Sequence, residues 1–240
     1  YQRSPLLPFE QRSLVRTTST STRVLGEARH PAQRDQLVVL RPTDAMRHLH
    51  VIGPSGSGKS VLLARLILSD IAGGRIAIVI DPKGDLVTDV LARLDPEHHE
   101  RVAVLDASDP APAGFNPLAD PGGVDGLLHV FHSLWSSSWG PRLGDIFYAS
   151  LLTLAHSDGR TLPELPLLLS DPAFRRPLVQ RAVAADPIGL GSFWSTYDGW
   201  SDDMRAHALG PVMNKLRAVL LRPELRAVLG QAEPRLNLAA

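Results

Sequence analysis

A run of glycines in the first quarter of the chain constrains the fold more than any other feature. Residues 53–60 read Gly-Pro-Ser-Gly-Ser-Gly-Lys-Ser, which fits the pattern G-x-x-x-x-G-K-[ST] at every position. Residues 48–52 (His-Leu-His-Val-Ile) predict a short strand before them, and residues 60–72 follow with helical spacing. This order of strand, loop and helix predicts an anion-binding site at the positive end of the helix. Backbone N–H groups of the loop would converge on the anion there. We call residues 53–60 the glycine loop.

The residue types of the glycine loop predict a site for a nucleoside triphosphate and Mg²⁺. Lys59 is expected to reach the β- and γ-phosphates and is the predicted catalytic residue, because it would offset charge on the γ-phosphate. The Ser60 hydroxyl is expected to ligate Mg²⁺. The other predicted nucleotide-binding residues are Gly53, Pro54, Ser55, Gly56, Ser57, Gly58 and Val61.

Strands and helices alternate in the sequence around this loop. Residues 75–80 include the unbroken run Ile-Ala-Ile-Val-Ile, residues 85–94 have helical spacing, and residues 101–105 form a third apolar run. With residues 48–52 they predict an α/β fold, the partial parallel sheet of a P-loop NTPase, followed by an all-helical domain. Residues 36–41 predict a separate strand.

Composition shifts along the chain predict its domain organisation. We expect a flexible arm or linker at 1–34, the first part of the NTPase domain at 35–123, an all-helical insertion at 124–234, and the start of a return strand at 235–240. Helices are predicted near 124–137, 142–156, 163–169, 172–184, 201–220 and 223–229. Because three parallel strands make a poor free-standing core, we expect the chain to be part of a larger protein.

Composition also excludes several classes of protein. The chain has no cysteine, which excludes a disulfide scaffold, a thiolate zinc site and a cysteine nucleophile. Its 25 basic and 25 acidic residues give zero net charge, so bulk electrostatics does not indicate nucleic acid. No apolar run approaches the length of a membrane helix and no secretory signal is present, which predicts a cytoplasmic chain without a membrane span.

Asp81, at the end of the second predicted strand, has three interpretations. It begins the sequence Asp-Pro-Lys-Gly-Asp at the sheet edge where ligands bind. It would lie near the phosphates or at an interface, hold Mg²⁺ through water as a Walker B aspartate, or belong to a plain turn. We favour the first, because the Walker B strand of RecA-like ATPases normally comes later in the chain.

Aromatic and histidine residues offer further candidates. His48 and His50 would share one face of a strand, which favours a buried, hydrogen-bonded pair over catalysis. His98 and His99 lack a third ligand at useful spacing, so we expect a solvated loop and no metal site. Four tryptophans in the helical part are expected to pack in its core, with base stacking as the alternative: Trp135, Trp139, Trp194 and Trp200.

These motifs together resemble the conjugative coupling ATPases of type IV secretion systems, which belong with the FtsK and HerA DNA-pumping motors. The resemblance rests on the glycine loop, on residues 79–86 (Val-Ile-Asp-Pro-Lys-Gly-Asp-Leu), and on Val-Leu-Asp at 104–106 with Phe-Asn-Pro-Leu at 115–118. The helical part is similar to the all-α insertion of actinobacterial-type members. The resemblance covers about residues 23–240.

The resemblance implies a RecA-like, hexameric ATPase that moves DNA or DNA–protein substrates to a membrane channel. It implies ATP and Mg²⁺ as cofactors, and DNA, further copies of the chain, and channel or substrate proteins as partners. The full-length protein would sit at the cytoplasmic face of the membrane, with membrane helices before Tyr1. The Walker B aspartate and glutamate would follow Ala240, so ATP binding has more support than hydrolysis by this chain alone.

Two other functions are compatible with the sequence. A nucleotide-gated module that recruits proteins and does not pump DNA is suggested by the neutral charge and by the missing general base. A small-molecule P-loop kinase fits less well, because the long helical block stands where such enzymes carry a compact, arginine-rich lid.

Overall fold

The computed structural model describes residues 23–233 except 29, 34, 35, 107 and 121. The chain divides into two compact units, Tyr1–Val102 and Ala103–Ala240. The first unit combines a β-hairpin with helices, and every regular element in the described part of the second unit is a helix. The predicted return strand at 235–240 and most of the predicted arm lie outside the described residues.

The strands of the first unit form an antiparallel hairpin. Strand β1 (Arg23–Glu27) pairs with β2 (Leu37–Leu40), with Arg23 opposite Leu40 and a bulge between Val24 and Gly26. Strand β2 confirms the strand predicted at 36–41. The sequence pattern does not predict β1, since it lies in a polar stretch without clear alternation.

The described part of the first unit also contains three α-helices. They are α1 (Pro42–Ala45), α2 (Lys59–Ala72) and α3 (Asp85–Arg93). Helices α2 and α3 confirm the helices predicted after the glycine loop and from Asp85. Helix α2 packs on α3 and on β1, and it buries Ala64 and Leu66.

Asp70, near the end of α2, forms ion pairs with two arginines. Asp70 accepts hydrogen bonds from Arg23 in β1, at 2.7 and 2.8 Å, and from Nε of Arg75 at 2.9 Å. Burial raises the pKa of Asp70, but the hydrogen bonds and positive charges of the two arginines outweigh it and hold this pKa below its ordinary value. The ion pairs therefore fix β1 and Arg75, three residues beyond the end of α2, to the same helix.

Replacing Asp70 with asparagine is expected to lower the free energy of unfolding of the first unit by about 1–2 kcal/mol at neutral pH. Because the folded pKa is depressed, this contribution is present above the unfolded pKa of about 3.9 and is lost as pH falls through the folded pKa. Urea unfolding at several pH values measures it. An equal difference between wild type and variant at neutral and strongly acidic pH would contradict the prediction.

The predicted parallel sheet is wrong. Among the described residues the one strand ladder is the antiparallel hairpin, and residues 48–52, 75–80 and 101–105 form no ladder with one another. The chain is therefore not the α/β, RecA-like P-loop NTPase fold that the sequence pattern predicts.

The second apolar run, residues 75–80, shows why the predicted parallel sheet does not form. Ile76, Ile78 and Ile80 are 86%, 78% and 88% exposed, and half-buried residues alternate with them. An apolar run becomes an interior parallel strand only where neighbours pair both of its edges and cover both faces. The apolar run can be recognised from consecutive residues, but the strands that would pair with it cannot. The sequence pattern alone therefore predicts a sheet that does not form.

The second unit consists of seven helices in its described part. They are α4 (Gly123–Leu134), α5 (Pro141–Ala155), α6 (Leu165–Ser170), α7 (Pro172–Ala185), α8 (Gly189–Asp198), α9 (Asp202–Leu220) and α10 (Pro223–Leu229). Six confirm predicted helices. Helix α8 is unpredicted, because Gly189 and Gly191 lower its helix propensity.

The core of the second unit is built around α5. Ile146, Phe147, Leu151 and Leu154 are fully buried, and α5 packs against α4, α6, α7, α8 and α9. Side-chain oxygens at two helix starts stop the neighbouring helices from fraying: Asp171 accepts from the first turn of α7, and Ser201 accepts from that of α9.

The four tryptophans pack with this core, which confirms the structural interpretation. The indole N–H of Trp194 donates to Oγ1 of Thr153 at 2.9 Å, and the side chain is 2% exposed. Trp135 and Trp139 stack on neighbouring phenylalanines, and Trp200 lies against Tyr197. Base stacking therefore has no support from their placement.

Candidate functional site

The glycine loop leads directly into α2 with a backbone that requires glycine. Gly56 and Gly58 have φ values of 79° and 87°, in the left-handed region. An added Cβ at either position would meet no atom within 4 Å, so the constraint is backbone conformation and not space. The spacing of glycines in the sequence therefore corresponds to a defined loop shape.

Replacing Gly58 with alanine is expected to lower the free energy of unfolding of the first unit by about 1–2 kcal/mol, the cost of a left-handed non-glycine residue. Urea unfolding followed by circular dichroism measures it. Gly126, exposed inside α4, is the matched control: an alanine there is expected to stabilise by up to about 1 kcal/mol. A Gly58→Ala variant as stable as wild type would show that the loop tolerates another shape.

The first glycine of the loop, Gly53, lies close to the side chain of Ser57. A Cβ on Gly53 would lie 2.5 Å from Oγ of Ser57, nearer than real atoms approach. Ser57 is exposed, so a side chain at residue 53 would require this hydroxyl group to turn away.

The first turn of α2 is open to an anion. Gly58 precedes the helix without a side-chain cap, and the first turn contains no acidic residue. Free N–H groups and the helix dipole make such a terminus favourable for negative charge. Ser60 and Val61 are exposed on this turn, with Val61 51% exposed, so a ligand has access to it.

Lys59 is half-buried and directed back into the loop. Its Nζ donates to the carbonyl oxygens of Gly53 at 2.7 Å and of Pro54 at 2.8 Å. The ammonium group thus lies beside the loop backbone, within the part of the chain that the sequence assigns to phosphate binding. All nine predicted nucleotide-binding residues, 53–61, are contiguous at the start of α2.

Asp81 caps α3. Its carboxylate accepts hydrogen bonds from the N–H groups of Lys83 at 3.1 Å, Leu86 at 2.8 Å and Val87 at 3.4 Å. These hydrogen bonds, that from Lys83 foremost, hold the pKa of the half-buried Asp81 below its ordinary value. Of the three interpretations, this geometry is that of a turn. An aspartate shortly before a helical stretch is the sequence signal for such a cap.

The later motifs have structural roles in the second unit. Asp106 accepts from the backbone N–H and hydroxyl of Ser108, at 2.8 and 2.7 Å. Asn116 is buried; its Oδ1 accepts from Leu118 N–H, and its Nδ2 donates to the carbonyl of Arg160 at 2.9 Å. An asparagine before proline is a turn signal, and here it anchors a loop to the helices.

The histidine predictions have mixed outcomes. His48 and His50 are exposed, so the predicted buried pair is wrong; the prediction assumed a strand that does not form. His98 is half-buried and His99 is exposed, and both lie in the 3-10 turn Pro96–Arg101. The residues that the structure describes hold no group of three or more histidine, aspartate or glutamate side chains that could bind a metal ion.

None of the described helices has the length and apolar character needed to span a membrane. In comparisons with known proteins, no family model matches this chain, and neither a curated protein nor a solved structure matches it.

Proposed function

We propose that the glycine loop binds the triphosphate of ATP together with Mg²⁺. The proposal rests on the way the loop backbone leads into helix α2. A complete G-x-x-x-x-G-K-[ST] sequence has left-handed glycines at Gly56 and Gly58 and continues into an uncapped α2. A lysine and the positive end of a helix dipole at one point favour a phosphate chain over other ligands.

Each residue of the loop has a distinct task in this proposal. The backbone of residues 53–58 surrounds the β-phosphate, and the N–H groups of the first turn of α2 donate to phosphate oxygens. Lys59 neutralises charge on the β- and γ-phosphates and stabilises the charge that develops during phosphoryl transfer. Gly58 admits the phosphate to the helix end because it has no side chain there.

The loop offers one protein oxygen as a direct ligand for Mg²⁺. Ser60 is exposed on the first turn of α2 and supplies one hydroxyl oxygen. Mg²⁺ keeps several waters and takes its other ligands from substrate phosphates, so one protein oxygen is compatible with it. The oxygens of Asp81 are engaged by backbone N–H groups, which restricts Asp81 to a contact through water.

The wider role that we propose is ATP-driven movement of DNA or DNA–protein substrates, as in the type IV coupling ATPases that the motifs resemble. Support for it comes from the sequence motifs alone. ATP hydrolysis, self-association into a ring and DNA as partner all belong to this part of the proposal.

Titration with mant-ATP and Mg²⁺ tests the nucleotide site. Saturable binding that ATP and tripolyphosphate displace, and that adenosine does not, is expected if the phosphates carry the affinity. No binding at about 1 mM, corresponding to about 4 kcal/mol, would overturn the proposal. Phosphate release with and without double-stranded DNA then tests the wider role, and salt-sensitive DNA binding is expected to accompany it.

One observation favours the recruitment of proteins as a second candidate function. The first unit exposes apolar side chains at Ile52, 82% exposed, and at Ile76, Ile78 and Ile80. Large exposed apolar side chains mark protein contact surfaces more often than nucleic-acid surfaces. ATP binding without DNA-stimulated phosphate release would favour this function over DNA movement.

A further inference from the structure

Lys215, on α9 of the second unit, is a buried lysine without a partner. The residue is 7% exposed, and it forms no hydrogen bond or ion pair with any other residue that the structure describes. The described side-chain atoms that are both fully buried and unpartnered belong to Ser150, Ser157, Arg160 and Arg205. Nζ of Lys215 is not one of them, so the ammonium group meets solvent at the end of an otherwise buried side chain.

A recessed charge of this kind is costly unless an opposite charge pairs with it. An ammonium group that is largely removed from water loses hydration, and only acceptors or a negative charge replace what it loses. Buried lysines in proteins are therefore usually paired. Because the apolar stem of Lys215 packs with the core while its charge stays free, this residue has the properties of a group that faces a ligand.

Lys215 lies at the start of a basic surface. It and Arg222 are seven residues apart, and the helical turn continues to Arg222, whose N–H donates to the carbonyl of Val219 at 3.2 Å, so helical spacing places both on one side. Four exposed side chains surround this end of α9 and the start of α10: Arg217, Leu221, Arg222 and Arg226. We call these four residues and Lys215 the α9–α10 corner.

The α9–α10 corner is positively charged, although the whole chain has zero net charge. Residues 206–232 contain four basic side chains, all in the corner, and one acidic side chain, Glu224. The three arginines of the corner form no side-chain ion pair within the described part of the chain. Leu221, which is 72% exposed, places an apolar side chain among these charges. Such a surface is complementary to carboxylates arranged around an apolar side chain.

The recessed position of Lys215 favours protein over nucleic acid as the partner. Duplex DNA presents its phosphates on a broad surface, where they contact basic side chains that project from a protein. A single aspartate or glutamate side chain projects from its own backbone and can reach a recessed ammonium group. The exposed Leu221 also fits a protein partner, since apolar side chains gain little from a phosphate backbone.

We propose that the α9–α10 corner binds an acidic segment of a partner protein, in which one carboxylate pairs with Lys215. The arginines attract the segment, Leu221 contacts an apolar side chain beside the carboxylate, and the Lys215 ion pair is the central contact. The corner belongs to the second unit, so this inference does not depend on the nucleotide site of the first.

Fluorescence anisotropy with a short labelled peptide, glutamates on both sides of one leucine, tests the proposal on the full chain. We expect saturable binding that is lost when glutamine replaces the glutamates. Lys215→Met is expected to weaken binding about tenfold or more, because it removes a charge-assisted hydrogen bond. No binding by wild type at about 1 mM, or equal binding by Lys215→Met, would overturn the proposal.

Further variants separate the α9–α10 corner from general effects of charge and folding. Arg181→Met, at an exposed position on α7, removes the same charge elsewhere and is expected to change the affinity by less than about twofold. Thermal unfolding should show Lys215→Met to be at least as stable as wild type, since an unpaired charge is removed. If that variant fails to fold, Arg222→Met and Leu221→Ala decide, each with an expected loss of about two- to fivefold.

Two comparisons identify the partner class and keep the two units apart. Double-stranded DNA that displaces the peptide, and whose own binding is lost in Lys215→Met, would overturn the protein assignment in favour of nucleic acid. Lys59→Ala is expected to bind the peptide as wild type does. Peptide binding without mant-ATP binding therefore contradicts only the nucleotide site, and the reverse result contradicts only the α9–α10 corner.

Discussion

Replacing Lys59 with alanine is expected to weaken mant-ATP binding by about 10- to 100-fold, because a charge-assisted hydrogen bond to phosphate contributes on the order of 1.5–3 kcal/mol. Lys59 is the single charged residue of the glycine loop, so no neighbour in the loop replaces it. Fluorescence titration in the presence of Mg²⁺ measures the change.

The control for this prediction is Arg65→Ala, which removes the same charge from an exposed position on α2. It is expected to change the affinity by less than about twofold, since an exposed charge more than a turn away is screened. Thermal unfolding of both variants shows that they fold. If Lys59→Ala binds mant-ATP as tightly as wild type does, the glycine loop is not the phosphate site.

Replacing Trp194 with alanine is expected to lower the free energy of unfolding of the helical unit by about 3–5 kcal/mol. The side chain is 2% exposed, packs edge-on against Phe193 and Tyr197, and donates its N–H to Thr153. Its removal leaves a cavity and takes away one hydrogen bond. Urea unfolding followed by circular dichroism measures the loss.

Two further variants divide that loss between packing and hydrogen bonding. Trp194→Phe keeps most of the ring and removes the N–H donor to Thr153, so we expect a loss of about 1–2 kcal/mol. Leu221 is 72% exposed, and Leu221→Ala is expected to change stability by less than about 0.5 kcal/mol. A Trp194→Ala variant no less stable than Leu221→Ala would contradict the burial of this side chain.

The helices of the second unit follow from the sequence because their signals are local. Pro141 and Pro223 stand at the first positions of α5 and α10, and Asp171 and Ser201 cap α7 and α9. Helix α8 has no such signal and forms through tertiary packing, which buries Leu190 and two aromatic side chains on one face. Local signals are therefore sufficient for most of this unit but not for all of it.

The first unit shows where local reasoning fails. An apolar run such as residues 75–80 has the composition of a buried strand, yet strand pairing depends on partners distant in the sequence. The error extends to His48 and His50, whose predicted burial depends on the same sheet. Predictions that all depend on the same strand pairing fail together when that pairing does not form.

The candidate site is more predictable than the fold around it. The glycine spacing indicates a left-handed backbone at Gly56 and Gly58 because few other residues adopt it, and this requirement is local. The hydrogen bonds of the Lys59 side chain and the capping role of Asp81 depend on how the loop closes, and coordinates are needed to see them.

The exposed isoleucines also determine how the protein behaves at high concentration. Residues 76–80 combine an uncharged, β-branched sequence with backbone groups that form no ladder, which is the composition of aggregation-prone segments. Precipitation should therefore begin at this segment rather than in the helical unit. A lysine in place of Ile78, which is 78% exposed, would place a charge in the middle of the segment and increase solubility without removing any core contact.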